Sequence, residues 1–225
     1  MEERIHRETL SAQAYRALRQ AILSRRYPPG ARLVVRELAE SLGLSPTPIK
    51  EALAALAREG LVRSVPHRGY QVPSLSAGEI QEIYELRDAL EGLAARLAAQ
   101  RGGPELAQSL EETLNRQREA ARAGDLEAYG DLDLAFHRLL WEASGNQRLR
   151  RMAENLDGQV RLLISTSAAV PGRLPQALEE HRVILTRIAS ADPAGAETAM
   201  RAHVQNAWEA LKGWSCQDVC VGVRV

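Results

Sequence analysis

Hydrophobic residues recur every three to four positions through most of this chain, which is the spacing that predicts α-helices with one buried face. Two short segments differ, because Leu61–Val65 and Tyr70–Val72 are strand-like and Pro66–Gly69 between them has the composition of a turn. The pattern therefore predicts a mainly α protein with one small β-hairpin.

The segment Ser45–Leu61 predicts a short amphipathic helix. Ser45 is placed to cap its start, and Pro46 and Pro48 fall in the first turn, where a missing amide donor costs nothing. The two sides differ in polarity: Ile49, Ala52, Leu53 and Leu56 form the apolar side, and Thr47, Lys50 and Glu51 the polar one. The start of the helix therefore exposes a hydroxyl group and a cation.

A second short helix is predicted just before this one, over Val35–Leu42, and Gly43–Ser45 is a tight connection. Two helices joined in this way form a helix-turn-helix unit, and the hairpin that follows, with its basic turn, corresponds to a wing. A plain helical hairpin inside any domain would give the same two-helix pattern. The hypothesis therefore depends on the helices and the hairpin taken together.

Charge is distributed unevenly along the chain, although the formal net charge of the 225 residues is zero. Residues 1–73 hold 12 Lys and Arg against seven Asp and Glu, and the remainder holds 17 against 22. A basic N-terminal part suits the phosphate backbone of a nucleic acid. We therefore predict a domain over residues 1–73 that binds double-stranded DNA, with chance segregation of charge as the alternative.

Residues 76–213 predict a separate all-α domain. Ser76 and Glu79 form a capping box at its start. Turn-forming residues then divide the segment into six helices, with breaks at Gly102–Pro104, Gly124–Asp125, Gly145–Asn146, Pro171–Pro175 and Asp192–Pro193. An antiparallel bundle of six helices is the architecture that this pattern favours.

The sequence contains no membrane or secretion signal that we can identify. No apolar run reaches the roughly 18 residues of a membrane span, and the start MEERIHRE lacks the apolar segment of a secretory signal. Both cysteines, Cys216 and Cys220, lie in the tail, residues 214–225, and we expect free thiols and assign the tail no function. We therefore expect a cytoplasmic protein with no membrane partner.

Four residues of metal-binding type lie on the apolar stripes of three predicted bundle helices: Asp133, His137, His181 and His203. A lone histidine in such a position is usually a core residue with one hydrogen bond. Four such groups together favour a metal site, because one divalent cation would pair with all of them and an unpaired aspartate in a core costs several kcal/mol. We predict that they bind one divalent metal ion, with Zn, Ni or Mn as the leading candidates.

Residues from about Thr9 to Pro73 resemble the winged helix-turn-helix domain of the GntR family of bacterial transcription regulators. The recognition helix of that family usually opens with Ser-Arg-Thr-Pro-Val/Ile-Arg-Glu, to which Ser45–Glu51 is similar. The resemblance implies that six residues contact DNA: Arg36, Ser45, Thr47, Lys50, Arg68 and Gly69. Pro46 and Lys50 replace family arginines, so we expect the base preference to differ more than the affinity does.

Residues from about Ser76 to Lys212 resemble the FCD ligand-binding domain of the FadR subfamily within GntR. The similar motifs are DLAFH at 133–137, EHRVI at 180–184 and MRAHV at 200–204. Metal-binding members carry one aspartate and three histidines at these motifs, and all four are present here. The resemblance implies a homodimeric regulator, a repressor in our interpretation, that binds a palindromic operator and responds to a small organic acid beside the metal.

Arg87 lies on the apolar stripe of the first bundle helix, where a guanidinium needs an anionic partner. We interpret it as the group that binds the carboxylate of the effector, with Gln159 on the fourth helix as a second effector-binding residue. The alternative is an internal salt bridge from Arg87 to Asp133, to Glu91 or to another helix.

A metal site of this kind is also compatible with two other functions: a metal-dependent hydrolase, and a metal sensor without an organic effector. An enzyme is not expected, because a catalytic centre does not explain the predicted recognition helix and wing. In addition Glu180, the candidate base nearest to a ligand in the sequence, is expected to point outward.

Overall fold

The computed structural model describes residues 9–66 and 69–212. Within them the chain forms ten α-helices and three short β-strands, which confirms the mainly α fold class. These elements belong to two compact units, and the division falls between Ser74 and Leu75.

The N-terminal unit contains six elements: α1 (Leu10–Leu23), β1 (Arg32–Leu33), α2 (Val35–Leu42), α3 (Pro46–Arg58), β2 (Arg63–Val65) and β3 (Gly69–Gln71). Its core forms where α1 packs against α3. The side of α3 that was predicted to be apolar is buried at Ile49, Ala52, Leu53 and Leu56. The opposite side is exposed at Thr47, Lys50 and Glu51.

The predicted hairpin is part of a three-stranded antiparallel sheet with the order β1-β3-β2. Strand β1 was missed by the sequence interpretation because two residues are too short to show an alternating pattern. Gly69 begins β3 instead of ending the turn, and its φ of 82° lies in the left-handed region that favours glycine. A Cβ at this position would lie 3.3 Å from the carbonyl oxygen of Leu33, a tight contact that adds to the preference for glycine.

The connection between α2 and α3 is a tight turn, as predicted. Gly43 ends α2 with φ 64° in the left-handed region. Ser45 has the extended backbone of an N-cap, but its side chain makes no capping hydrogen bond, which corrects the sequence expectation. The physical reason is that a cap bonds the second or third amide of the helix, and Pro48 removes the third of them.

The C-terminal unit is a bundle of seven helices: α4 (Ala77–Arg101), α5 (Gly103–Ala123), α6 (Leu126–Ala143), α7 (Gln147–Glu154), α8 (Asp157–Ser167), α9 (Arg173–Ala189) and α10 (Pro193–Lys212). The predicted capping box is confirmed at the start of α4, where the Glu79 amide donates to Ser76 Oγ and the Ser76 amide donates to Glu79 Oε2. Helix α4 packs against α10, and α6 packs against α4 and α5. Although several of these helices are long, none in the described ranges is apolar enough to cross a membrane.

The structure has seven helices where the sequence predicted six, because the fourth predicted helix is divided into α7 and α8. The amide of Leu156 donates to the carbonyl of Ala153, three residues back, which breaks the regular ladder. No proline or left-handed glycine marks this point, and Leu156 itself packs against the hydrophobic core. Tertiary packing therefore determines a break that local sequence could not indicate.

Candidate functional site

Three helices of the C-terminal unit bring three buried histidines together. Helix α6 supplies His137, α9 supplies His181 and α10 supplies His203, and one ring nitrogen from each lies within 4.8 Å of the other two. The ring of Phe136 stacks on that of His181, with centroids 4.3 Å apart and planes 11° apart, which fixes the imidazole plane.

Asp133 lies one helical turn before His137 and is buried beside this cluster. Its Oδ1 is 3.8 Å from His181 Nε2, and its Oδ2 is 3.9 Å from His137 Nε2. Burial raises the pKa of Asp133, against the opposing effect of neighbouring positive groups. The structure thus brings together the four residues that the sequence predicted as metal ligands, and their binding of a metal stays a prediction.

The Nδ1 atom of each histidine faces an oxygen of another side chain. The distances are 3.0 Å from His181 to Gln117 Oε1, 2.7 Å from His203 to Glu180 Oε2 and 2.5 Å from His137 to Glu91 Oε2. The first two contacts are hydrogen bonds, and the third is close but not aligned as one. Because these oxygens only accept, Nδ1 of His181 and of His203 carries the proton and Nε2 keeps its lone pair.

The histidine Nε2 atoms fit a metal ion. Those of His137 and His181 are buried and have no hydrogen-bond partner. Burial, together with the neighbouring histidines and Arg173, holds the pKa of His181 and His203 well below its usual value, so both rings are neutral near pH 7. Neutral imidazoles with free lone pairs beside a carboxylate are the donors that divalent transition metals take, and the Nδ1 partners are typical of such sites.

Arg87 is buried on α4 as predicted, and its Nε donates to Glu91 Oε1 at 2.7 Å. Burial would lower the pKa of Arg87, but the negative charge of Glu91 outweighs it and the pKa is raised. Burial would likewise raise the pKa of Glu91, but Arg87 and His137 hold it below its usual range. The internal salt bridge, which the sequence left as an alternative, is therefore present in this structure.

A small cavity, partly open to solvent, borders the histidine cluster. Its polar lining comes from seven side chains: Tyr84, Arg87, Tyr129, Asp133, Ser167, Arg173 and His203. Burial raises the pKa of Tyr129, so its hydroxyl keeps its proton and can donate to a ligand. The combination of two guanidiniums and two phenols beside a candidate metal centre suits a small, oxygen-rich anion.

Three residues of the site were missed or misplaced by the sequence analysis. Gln117 continues the buried stripe of Leu106, Leu110 and Leu114 on α5, so helical periodicity could have identified it. Arg173 begins the buried stripe of Ala177 and His181 on α9, but it lies in Pro171–Pro175, where the prolines predict a break instead of a helix. The expectation that Glu180 points outward was wrong, because its carboxylate contacts His203 and Arg173.

The predicted effector residue Gln159 is half-buried on α8 and does not line the cavity. The predicted DNA-contacting residues lie in the other unit. Ser45, Thr47 and Lys50 are exposed at the start of α3. Arg36 is exposed on α2 and pairs with Glu40 at 3.1 Å, a surface ion pair that water screens.

Three sequence expectations fall outside the described residues. These are Arg68, in the predicted turn of the wing, and the tail cysteines Cys216 and Cys220. Gly69, by contrast, is described, and it begins strand β3 next to that turn. The role of Arg68 in DNA contact therefore stays a sequence prediction.

Comparison with known families finds two matches that divide the chain as the fold does. Residues 10–72 match the family described as bacterial regulatory proteins, gntR family. Residues 82–206 match the FCD domain.

Relatives along nearly the whole chain are transcription regulators by name. The chain is 33% identical over 203 residues to a "Probable D-xylose utilization operon transcriptional repressor" of Paenarthrobacter nicotinovorans, covering 90% of this chain and 88% of the relative. It is 29% identical over 208 residues to the "HTH-type transcriptional repressor RspR" of Escherichia coli, covering 91% and 90%. Among solved structures, E. coli McbR/YncC matches with a TM-score of 0.72 and 26% identity, covering 93% of this chain and 100% of that chain.

Proposed function

Since the chain belongs to the GntR family of bacterial regulatory proteins, it is a DNA-binding transcription regulator, and we propose that a metal ion and a small carboxylate bound in its FCD domain control its affinity for DNA. The observation that carries this proposal is the histidine cluster with Asp133, which lies beside a cavity lined by two buried arginines.

The N-terminal unit provides the DNA-binding elements. Helix α3 buries its apolar side and exposes Thr47 and Lys50 near its start, which is the end that enters the major groove in helix-turn-helix proteins. We propose that two copies of the chain bind the two halves of a palindromic operator, because a two-fold DNA site matches a two-fold dimer. Repression is the mode of action that the names of two relatives favour.

The metal would be held by Nε2 atoms of the histidines and by the carboxylate of Asp133. When bound, it would supply a positive centre that attracts an oxygen ligand from the cavity. Gln117 and Glu180 would keep the protons on Nδ1 of His181 and His203, which leaves Nε2 free for the metal. The polar lining of the cavity would orient the anion.

The hydrolase alternative requires a carboxylate that is free to take a proton from water. Glu180 contacts Arg173, His203 and Asn206, and Glu91 contacts Arg87 and His137. Both carboxylates are thus engaged by positive or hydrogen-bonding groups, which supports the regulator proposal over catalysis.

The proposal is tested by DNA binding under controlled ligand conditions. A duplex selected from a random library by the full-length protein would be titrated with chelated protein, with protein loaded with Zn²⁺, Ni²⁺ or Mn²⁺, and with loaded protein plus a panel of small carboxylic acids. We expect at least one acid to change the dissociation constant by about fivefold or more, and only in the presence of metal. A response to metal with no response to any acid would favour the metal sensor, and no response to either would contradict the proposal.

A further inference from the structure

Two rows of contacting side chains, each an arginine, a glutamate and a histidine, lead to the candidate metal centre: Arg87–Glu91–His137 and Arg173–Glu180–His203. In each row the glutamate lies between a guanidinium and the Nδ1 of a histidine. The two rows approach the histidines from different helices, since Arg87 and Glu91 are on α4 and Arg173 and Glu180 are on α9.

The two arginines differ in how fully they are paired. Arg173 is 4% exposed, and its Nη2 lies 2.8 Å from Glu180 Oε2. Its Nε and Nη1 are buried and have no hydrogen-bond partner. Leaving donors of a charged group unpaired in a protein interior is costly, so this arrangement indicates an acceptor that the chain itself does not supply.

Arg87 has less need of such an acceptor. Its Nε donates to Glu91 at 2.7 Å, and its guanidinium carbon lies 5.1 Å from the centre of the Tyr84 ring, within the range of a cation–π contact. Glu91 contacts Arg87 through Oε1 and His137 through Oε2. In Glu180, by contrast, Oε2 alone contacts both Arg173 and His203, the latter at 2.7 Å, and Oε1 accepts from Asn206 at 2.8 Å. The negative charge available to Arg173 is therefore smaller than that available to Arg87.

We propose that Arg173, and not Arg87, is the side chain that binds the carboxylate of the effector. The inference rests on the proposed function and refines it, because Arg173 lines the same cavity as His203 and Asp133. A carboxylate is planar and accepts several hydrogen bonds, which matches the unpaired guanidinium donors. Arg87 then acts as a positioning residue that holds Glu91 against His137.

The arrangement also couples the anion to the metal. Glu180 Oε2 contacts both Arg173 Nη2 and His203 Nδ1, so the same oxygen serves the anion-binding arginine and a candidate metal ligand. A carboxylate that takes over part of the interaction with Arg173 leaves Glu180 with more charge for His203, which makes His203 a stronger ligand. By thermodynamic reciprocity, bound metal then strengthens anion binding by the same factor.

The test uses acetate as the smallest carboxylate probe on the full-length protein loaded with zinc. Acetate affinity is measured from the rise of Tm with acetate concentration, against chloride at equal ionic strength. The variants are Arg173→Gln, Arg173→Lys and Arg87→Gln, with Arg182→Gln as the matched control. Arg182 is an exposed arginine on the same helix that pairs with Glu179.

We expect Arg173→Gln to weaken acetate binding by about tenfold or more, with zinc content unchanged, and Arg173→Lys to lose part of the affinity. Arg182→Gln should match the wild type, and Arg87→Gln should stay within about threefold at saturating zinc. Arg173→Lys keeps the buried positive charge beside Glu180, so it gives a result even if Arg173→Gln does not fold.

Equal acetate affinity in the wild type and in both Arg173 variants would overturn this assignment, as would a larger loss in Arg87→Gln or no acetate binding by the wild type. The proposed function is judged separately by zinc content and by the DNA response. If the wild type binds no zinc, the metal proposal fails, and the acetate titration of the metal-free protein still tests Arg173.

Discussion

At the scale of single residues, the candidate metal centre depends on the side chains that surround the histidines. The four predicted ligands could be found from the sequence because each falls on a helical stripe of otherwise apolar residues. Gln117 follows the same rule on α5 and was overlooked. Glu180 could not be placed from the sequence, because its contact with His203 depends on how α9 meets α10. Arg173 was missed because it lies in Pro171–Pro175, a segment whose prolines predict a break between helices.

Replacing a histidine of the cluster should remove the metal. We expect His181→Ala and His203→Ala each to lose most bound metal and to lower Tm, since the remaining inward groups stay partly unpaired. Elemental analysis of the purified protein measures the loss. Glu209→Gln, an exposed change on the same helix as His203, is the control, and full metal occupancy in either histidine variant would show that the cluster is only a core feature.

Gln117 offers a second test that leaves all four candidate ligands in place. Its side chain donates to Asp133 Oδ1 at 2.9 Å and accepts from His181 Nδ1 at 3.0 Å. Gln117→Leu keeps the size but removes both hydrogen bonds, so we expect metal affinity to fall about 10- to 100-fold in a competition titration. An unchanged affinity would mean that packing alone orients the two ligands.

The metal-free protein should lose stability in weak acid. Burial holds the pKa of His181 and His203 below that of the unfolded chain, so the unfolded state binds more protons as the pH falls below about 6.5. Asp133 opposes this effect, because its raised pKa favours proton binding by the folded state. With two histidines against one aspartate, we expect Tm of the chelated protein to fall from about pH 7 to about pH 5, and a flat or rising profile would contradict the described protonation states.

At the scale of secondary-structure elements, most signals with a local cause are confirmed, and the missing side-chain cap at Ser45 is the exception. The capping box at Ser76, the glycine turn at Gly43 and the amphipathic pattern of α3 are each determined by a few neighbouring residues, and each is present. The break between α7 and α8 and the two-residue strand β1 result from tertiary contacts. Both were therefore invisible in the sequence pattern.

Helix α3 carries the prediction that belongs to this scale. We expect Lys50→Ala to weaken binding to a selected DNA duplex without changing the fold, because Lys50 is exposed on the polar side near the start of the helix. If Lys50 contacts a phosphate, its loss would reduce the slope of log K against log salt concentration by about one. If it contacts a base, its loss would cost roughly 1 to 3 kcal/mol of binding free energy at one position of the duplex. The control is Arg58→Ala, which removes the same charge at the other end of α3, and equal binding by both variants and the wild type would exclude this surface from the interface.

At the scale of the whole molecule, the proposed function gives the two compact units separate tasks. In the proposed function the N-terminal unit presents α3 to DNA, whereas the C-terminal unit encloses the candidate metal centre and its cavity. An effector can change DNA affinity only if it binds the DNA-competent state and the alternative state with different affinities. The coupling must then be equal in both directions.

The central claim is therefore tested most directly by measuring the affinity of the metal-loaded protein for its acid with and without a saturating DNA duplex. If the acid weakens DNA binding by a given factor, DNA must weaken acid binding by the same factor, and we expect this factor to lie between about 5 and 150. Equal acid affinity in the free and DNA-bound protein would contradict the account, because the site in the C-terminal unit would then bind its ligand without controlling DNA.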